Sequence, residues 1–177
     1  MRPVESEIDM TAYLQRLGSL PTFNIHEVTD KGTKPWYEVV PANVVAELMI
    51  HETDLSRDVT AVAAQIFHWG RLEAQAKRAW EVQERMYRQW REGIILKLVT
   101  PPRDEEEAKK WKKPPEHVLE AHYRADKNYP TWQSRLEQAE ETYNCAHAVR
   151  EAFLAKRDML KVAVVRAPID SAPRLAV

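Results

Sequence analysis

From Asp54 to Lys97 apolar residues recur every three or four positions: Leu55, Val59, Val62, Ile66, Trp69, Leu72, Ala76, Trp80, Tyr87, Trp90 and Ile94. The spacing averages near 3.5, the period of a helix packed along its length against another. No proline interrupts the stretch, so the pattern predicts one long helix over 54–97, fraying around Gly93. Thr53 or Asp54 is the expected cap, and the charge of Asp58 suits the dipole of the first turns. At about 1.5 Å per residue this helix is roughly 65 Å long. A second seam runs from Pro130 to about Val165 through Trp132, Leu136, Ala139, Tyr143, Ala146, Val149, Phe153, Leu160 and Val164. It predicts an antiparallel partner for the first helix.

The segment between them is punctuated by proline. Thr100-Pro101-Pro102 stops the first helix, and Pro114-Pro115 separates two short helical stretches. The first carries Asp104 to Glu107 at its start and Lys109 to Lys113 at its end, the order a helix dipole favours. The second begins at Pro115-Glu116 and carries Val118, Leu119 and His122. Near the N-terminus a short helix is expected, capped by Ser6 and ended by Gly18. Pro21, Gly32, Pro35 and Pro41 then suggest irregular chain. Trp36 and Tyr37 are expected to anchor this segment onto the helical body. Pro41 suits a first helical position, ahead of Val44, Val45, Leu48 and Met49.

The expected fold is all-α: a long antiparallel helical hairpin with a smaller irregular and helical N-terminal region. Its divisions are an acidic region 1–53, the hairpin 54–165 with a charged insert at 98–129, and a loose tail at 166–177. A two-helix hairpin alone leaves apolar surface wet. The third packing surface is either the N-terminal region or further copies of the chain, in a homo-oligomeric bundle or ring.

Composition supports helix. Glycine is scarce, at four of 177 residues. Charge is nearly balanced, with 26 Lys and Arg against 27 Asp and Glu, but it is uneven. Residues 1–53 carry four cations and eight carboxylates, whereas 54–97 carry eight and six. Polyanion binding would therefore have to come from local clustering. The single cysteine, Cys145, forms no internal disulfide and fits a reducing compartment. No apolar run approaches the ~18 residues of a membrane span, and the acidic N-terminus does not read as a signal peptide. A cytoplasmic protein is expected.

No catalytic constellation is visible. The six histidines lack metal-type pairing; His117 and His122, five apart, fall on different sides of a helix. There is no cysteine pair, glycine-rich phosphate loop or Gly-x-Ser-x-Gly. Cys145 on a helix reads as a packing residue, and the carboxylates at 104–107 as solvated loop. The chain reads as a non-enzymatic binding or assembly protein without cofactor or metal.

Two features could bind a partner. Arg57, Arg71, Arg78 and Arg85 differ by multiples of seven and stack along one side of the helix, with Arg88 a turn further on and Lys77 and Arg91 nearby. On periodicity alone this is a solvated face with local ion pairs to Glu81 and Glu84. The second feature is Lys109-Lys110-Trp111-Lys112-Lys113, where cations follow a phosphate backbone and an indole stacks on a base. The alternative is a soluble loop with Trp111 tucked onto the hairpin.

The run Arg71-Leu72-Glu73-Ala74-Gln75, followed by Lys77, Arg78 and Ala79, resembles a segment of the UvsY family of phage recombination mediators. Asp126-Lys127, Leu136, Ala148, Ala155 and Leu160-Lys161 sit in a helix similar to that family's C-terminal helix. The resemblance covers about half the chain. It implies a non-catalytic protein that binds single-stranded DNA, assembles into a homo-oligomeric ring, and helps load a RecA-type recombinase onto DNA covered by single-strand-binding protein. It implies DNA contact by Lys77, Arg78 and Arg85, and oligomerisation through Trp132, Leu136, Tyr143, Phe153 and Leu160. If of phage origin, the protein would act in the host cytoplasm. The chain departs from the family in its acidic N-terminal region, its insert with Trp111, and Glu81 within the basic stretch. The competing expectation is a structural helical assembly or chaperone protein without nucleic-acid binding. Mimicry of DNA by the acidic N-terminus is a weaker third option, given the mildness of its charge.

Overall fold

A computed structural model describes residues 10–166. In chain order it contains α1 (Met10–Gly18), β1 (Phe23–Thr29), β2 (Gly32–Val39), α2 (Pro41–Leu48), a single 3-10 turn (Glu52–Asp54), α3 (Leu55–Val99), α4 (Glu105–Lys110), α5 (Glu116–Ala125) and α6 (Tyr129–Arg166). The Ser6 cap and most of the proposed tail lie outside the described residues; Arg166 ends α6.

The helix pair of the sequence reading is present. Asp54 caps α3, its side chain accepting from the Arg57 amide at 3.1 Å. The helix continues through Gly93 to Val99 rather than fraying there. An exposed interior glycine costs only about 1 kcal/mol, and half-buried Ile94, Ile95 and Leu98 follow it. Three stacked aromatic pairs join α3 to α6. Trp69 lies on Phe153 with ring centroids 6.2 Å apart, Trp80 on Tyr143 at 5.6 Å and 5°, and Trp90 on Trp132 at 6.0 Å. Each advance along α3 is matched by a near-equal retreat along α6, which is antiparallel packing.

The N-terminal region departs from the reading. Instead of irregular chain, residues 23–39 form an antiparallel two-stranded hairpin, with Phe23 opposite Val39 and Thr29 opposite Gly32. Phe23, Ile25 and Val39 point inward and are buried. Pro35 faces His26 beside a register irregularity at Ile25/His26. A bulge on an edge strand tolerates a residue with no N–H to donate. Gly32 adopts φ +123° at the turn, a conformation open to glycine.

This hairpin, α1 and α2 supply the third packing surface. Leu17, Phe23, Ile25, Val39, Val44 and Leu48 form one core with Trp69, Leu72, Ala76, Ala146, Val149, Ala152 and Phe153. The core thus closes within a single chain. Two of the residues expected at an oligomer interface, Phe153, at 0% exposure, and Leu160, are buried within the single chain. Tyr143 and Trp132 are engaged by Trp80 and Trp90, and Leu136 is half-buried.

Beyond the reach of the N-terminal region, α5 takes over. Tyr123 lies against Tyr129 at 6.0 Å, and Tyr129 against Trp90 at 6.4 Å. The guanidinium of Arg91 sits 5.8 Å from the Tyr123 ring centre. The short α4 has no buried residue, so that part of the insert stands outside the core.

A buried ion pair locks the opposite end. Lys156, 1% exposed, donates to the carbonyls of Glu47 (2.8 Å) and Met49 (3.0 Å) and to Asp58 Oδ1 (3.1 Å). All three protons of the ammonium have acceptors, and the carbonyls are those left over at the end of α2. Asp58 also accepts from the His51 amide at 2.7 Å. Burial disfavours its charge, but that hydrogen bond and the bond and charge of Lys156 outweigh it, holding the carboxyl below the usual aspartate range. The expected dipole role of Asp58 is therefore joined by a tertiary one.

Candidate functional site

The face of α3 opposite the seam is open to water. Arg71, Arg78 and Arg85 are exposed on it. Residues seven apart drift only about 20° around a helix, so they form one row roughly 21 Å long at 1.5 Å per residue. Among the described residues none of the three has a carboxylate within ion-pair distance. Arg57 and Lys77 are likewise exposed, although Lys77 lies about a quarter-turn to one side of Arg78. Arg88 is exposed too but is bound by Glu84 one turn earlier. Arg91 leaves the row for Tyr123.

Packing sharpens the charge of this face. Helix α3 carries eight cations and five carboxylates. Two of the carboxylates turn inward. Asp58 serves Lys156, and Glu73 pairs with His147 Nδ1 at 2.8 Å and Arg150 at 2.9 Å on α6. With Arg91 taken up by Tyr123, seven cations then remain against three carboxylates, Glu81, Glu84 and Glu92. Glu81 remains exposed within the row. On α6, by contrast, Glu137, Glu140 and Glu141 are exposed. The helix pair is therefore basic along one outer face and acidic along part of the other.

Lys109, Lys110, Lys112 and Lys113 are exposed and Trp111 is half-buried. They lie past the end of α3, more than ten residues beyond Arg88. The two candidate binding features belong to separate elements and do not merge into one row.

Sequence reasoning missed a third feature. Trp36 is 53% exposed and Tyr37 38%, so they do not anchor the N-terminal region; Phe23, Ile25 and Val39 do. Tyr37 instead meets His68 of α3 edge-on at 5.7 Å, and Trp36 lies 6.2 Å from Tyr37. Phe67, beside His68, is 70% exposed. An aromatic one place off the seam, between Ile66 and Trp69, was the available signal.

Among the described residues no group of three or more His, Cys, Asp or Glu side chains is placed to hold a metal ion. Cys145 lines cavities of about 350 and 310 Å³ beside α6, together with Glu141. Burial and the charge of Glu141 push its thiol up, away from the reactive thiolate. No described helix is long and apolar enough to cross a membrane. No protein-family model matches this chain, and it shows no significant similarity to a curated protein or to a solved structure.

Proposed function

We propose that this protein is a non-catalytic binder of single-stranded nucleic acid whose interface is the outer face of α3. One observation carries the reading: Arg71, Arg78 and Arg85 stand in a solvent-exposed row without carboxylate partners among the described residues. A row of guanidinium groups on a rigid helix matches a phosphate backbone, and such contacts need no base sequence. The resemblance of the Arg71–Gln75 run to the recombination mediators supports the same polyanion and suggests single-stranded DNA. In that role the protein would help load a RecA-type recombinase onto DNA covered by single-strand-binding protein, and the insert cations Lys109 to Lys113 would extend the path.

The test is a fluorescence-anisotropy titration of a labelled oligonucleotide. Binding is expected at low salt and falls as salt rises, by about 0.7 in the log–log slope per phosphate neutralised. Arg78→Glu with Arg85→Glu lowers both affinity and slope. No binding by the unaltered protein at low salt would sink the reading.

A second reading rests on the exposed Glu137, Glu140 and Glu141 of α6. The basic α3 face of one copy would meet the acidic α6 face of the next, a head-to-tail contact that closes into rings or runs into filaments. Light scattering separates the two. Salt-sensitive growth in mass without oligonucleotide binding favours assembly.

A further inference from the structure

We propose that the exposed aromatic residues Trp36, Tyr37, Phe67 and His68 make up a base-stacking platform at the head of the arginine row. The inference rests on the nucleic-acid reading above and adds where the bases go. Trp36, Tyr37 and His68 are linked ring to ring between β2 and α3, and Phe67 stands exposed on α3 next to His68 in sequence. Tyr37 meets α3 in an edge contact with His68. Trp36 is tilted 47° from Tyr37 rather than stacked on it, which leaves ring faces open to solvent. Phe67 is the most exposed aromatic among the described large hydrophobic residues.

Position along α3 links the rings to the cations. Phe67 precedes Arg71 by four residues and His68 precedes it by three, so both are its neighbours on the helix surface. A backbone tracking Arg85, Arg78 and Arg71 therefore arrives at the aromatic rings with its next phosphates neutralised. Single-strand binders combine these two parts: a cationic track and aromatic faces on which any base stacks. An apolar protein ligand fits the site less well, because the same surface continues directly into arginines. The indole and phenyl rings are the principal stacking surfaces, and Tyr37 and His68 hold the strand–helix junction.

The experiment uses the full chain, a labelled oligonucleotide, and an abasic oligonucleotide of equal length. Phe67→Ala and Trp36→Ala, both at exposed sites, should keep the helical circular-dichroism spectrum. Each should weaken binding of the normal oligonucleotide roughly 5- to 150-fold, the general range for one base–aromatic stack. The abasic strand should bind the unaltered protein more weakly and lose little further in the variants. The platform is overturned if oligonucleotide binding depends on Arg78 and Arg85 while both alanine variants and the abasic strand behave like the reference. Absence of any binding by the unaltered protein would instead overturn the nucleic-acid reading itself.

Discussion

Lys156 shows how a single residue escapes sequence reading. Lysine is among the residues least often buried without a partner, and nothing in the chain near it marks it as interior. Its burial follows from three acceptors brought from α2, the segment after it, and α3. Lys156→Ala would leave the Asp58 carboxylate buried with only His51 beside it. A loss of about 3–5 kcal/mol is expected in urea unfolding, and Lys156→Met with Asp58→Leu should recover much of it. The pair also predicts acid sensitivity. Asp58 titrates lower in the folded chain than unfolded, so its contribution is complete above about pH 4, the ordinary aspartate value. It declines as pH falls through the folded value. Urea midpoints measured from pH 6 downward should show that decline in the native chain and a smaller one in the double variant.

At the scale of elements, the hairpin and the insert make opposite predictions. The β1–β2 turn needs Gly32 at φ +123°, and a Cβ there would meet only Met86, at 3.9 Å. Space is available, so the cost of Gly32→Ala is backbone strain, of order 1–3 kcal/mol. It should appear as a lower melting temperature with the helical spectrum retained. The insert is different because α4 buries nothing. Replacing Lys109, Lys110, Lys112 and Lys113 by alanine should leave stability within about 0.5 kcal/mol. Oligonucleotide affinity measured on the same variant reports whether the insert joins the path: a loss comparable to that of the arginine variant would include it, and unchanged affinity would confine the interface to α3. The long helices themselves were the most legible elements. Trp69, Trp80 and Trp90 recur at nearly the same interval as Trp132, Tyr143 and Phe153, and antiparallel packing joins them as the three stacked pairs. That correspondence stands in the sequence.

For the whole molecule, the consequential question is what covers the helix pair. The seams left either the N-terminal region or other subunits to do so, and the N-terminal region does. Phe153 and Leu160, expected at an oligomer interface by their apolar character, therefore lie inside one chain. The nucleic-acid prediction belongs to this scale as well. Net charge near zero gives no hint of a polyanion partner, but folding turns Asp58 and Glu73 inward and leaves the arginine row outside. A steep salt dependence from a chain of balanced charge, reduced by Arg78→Glu with Arg85→Glu, is the expected signature of that segregation.

Residue order alone specifies the two long helices, the Asp54 cap, the short helices between the prolines, and the alignment of the arginines. These depend on periodicity and on hydrogen bonds within four residues along the chain, so local information suffices. Three-dimensional packing was needed to pair residues 23–39 as a hairpin, to bury Lys156, to place Phe153 and Leu160 inside, and to leave Trp36 and Phe67 outside. Each of these depends on what lies across from the residue in space, often a hundred positions away, and apolar character alone does not say which neighbour removes it from water.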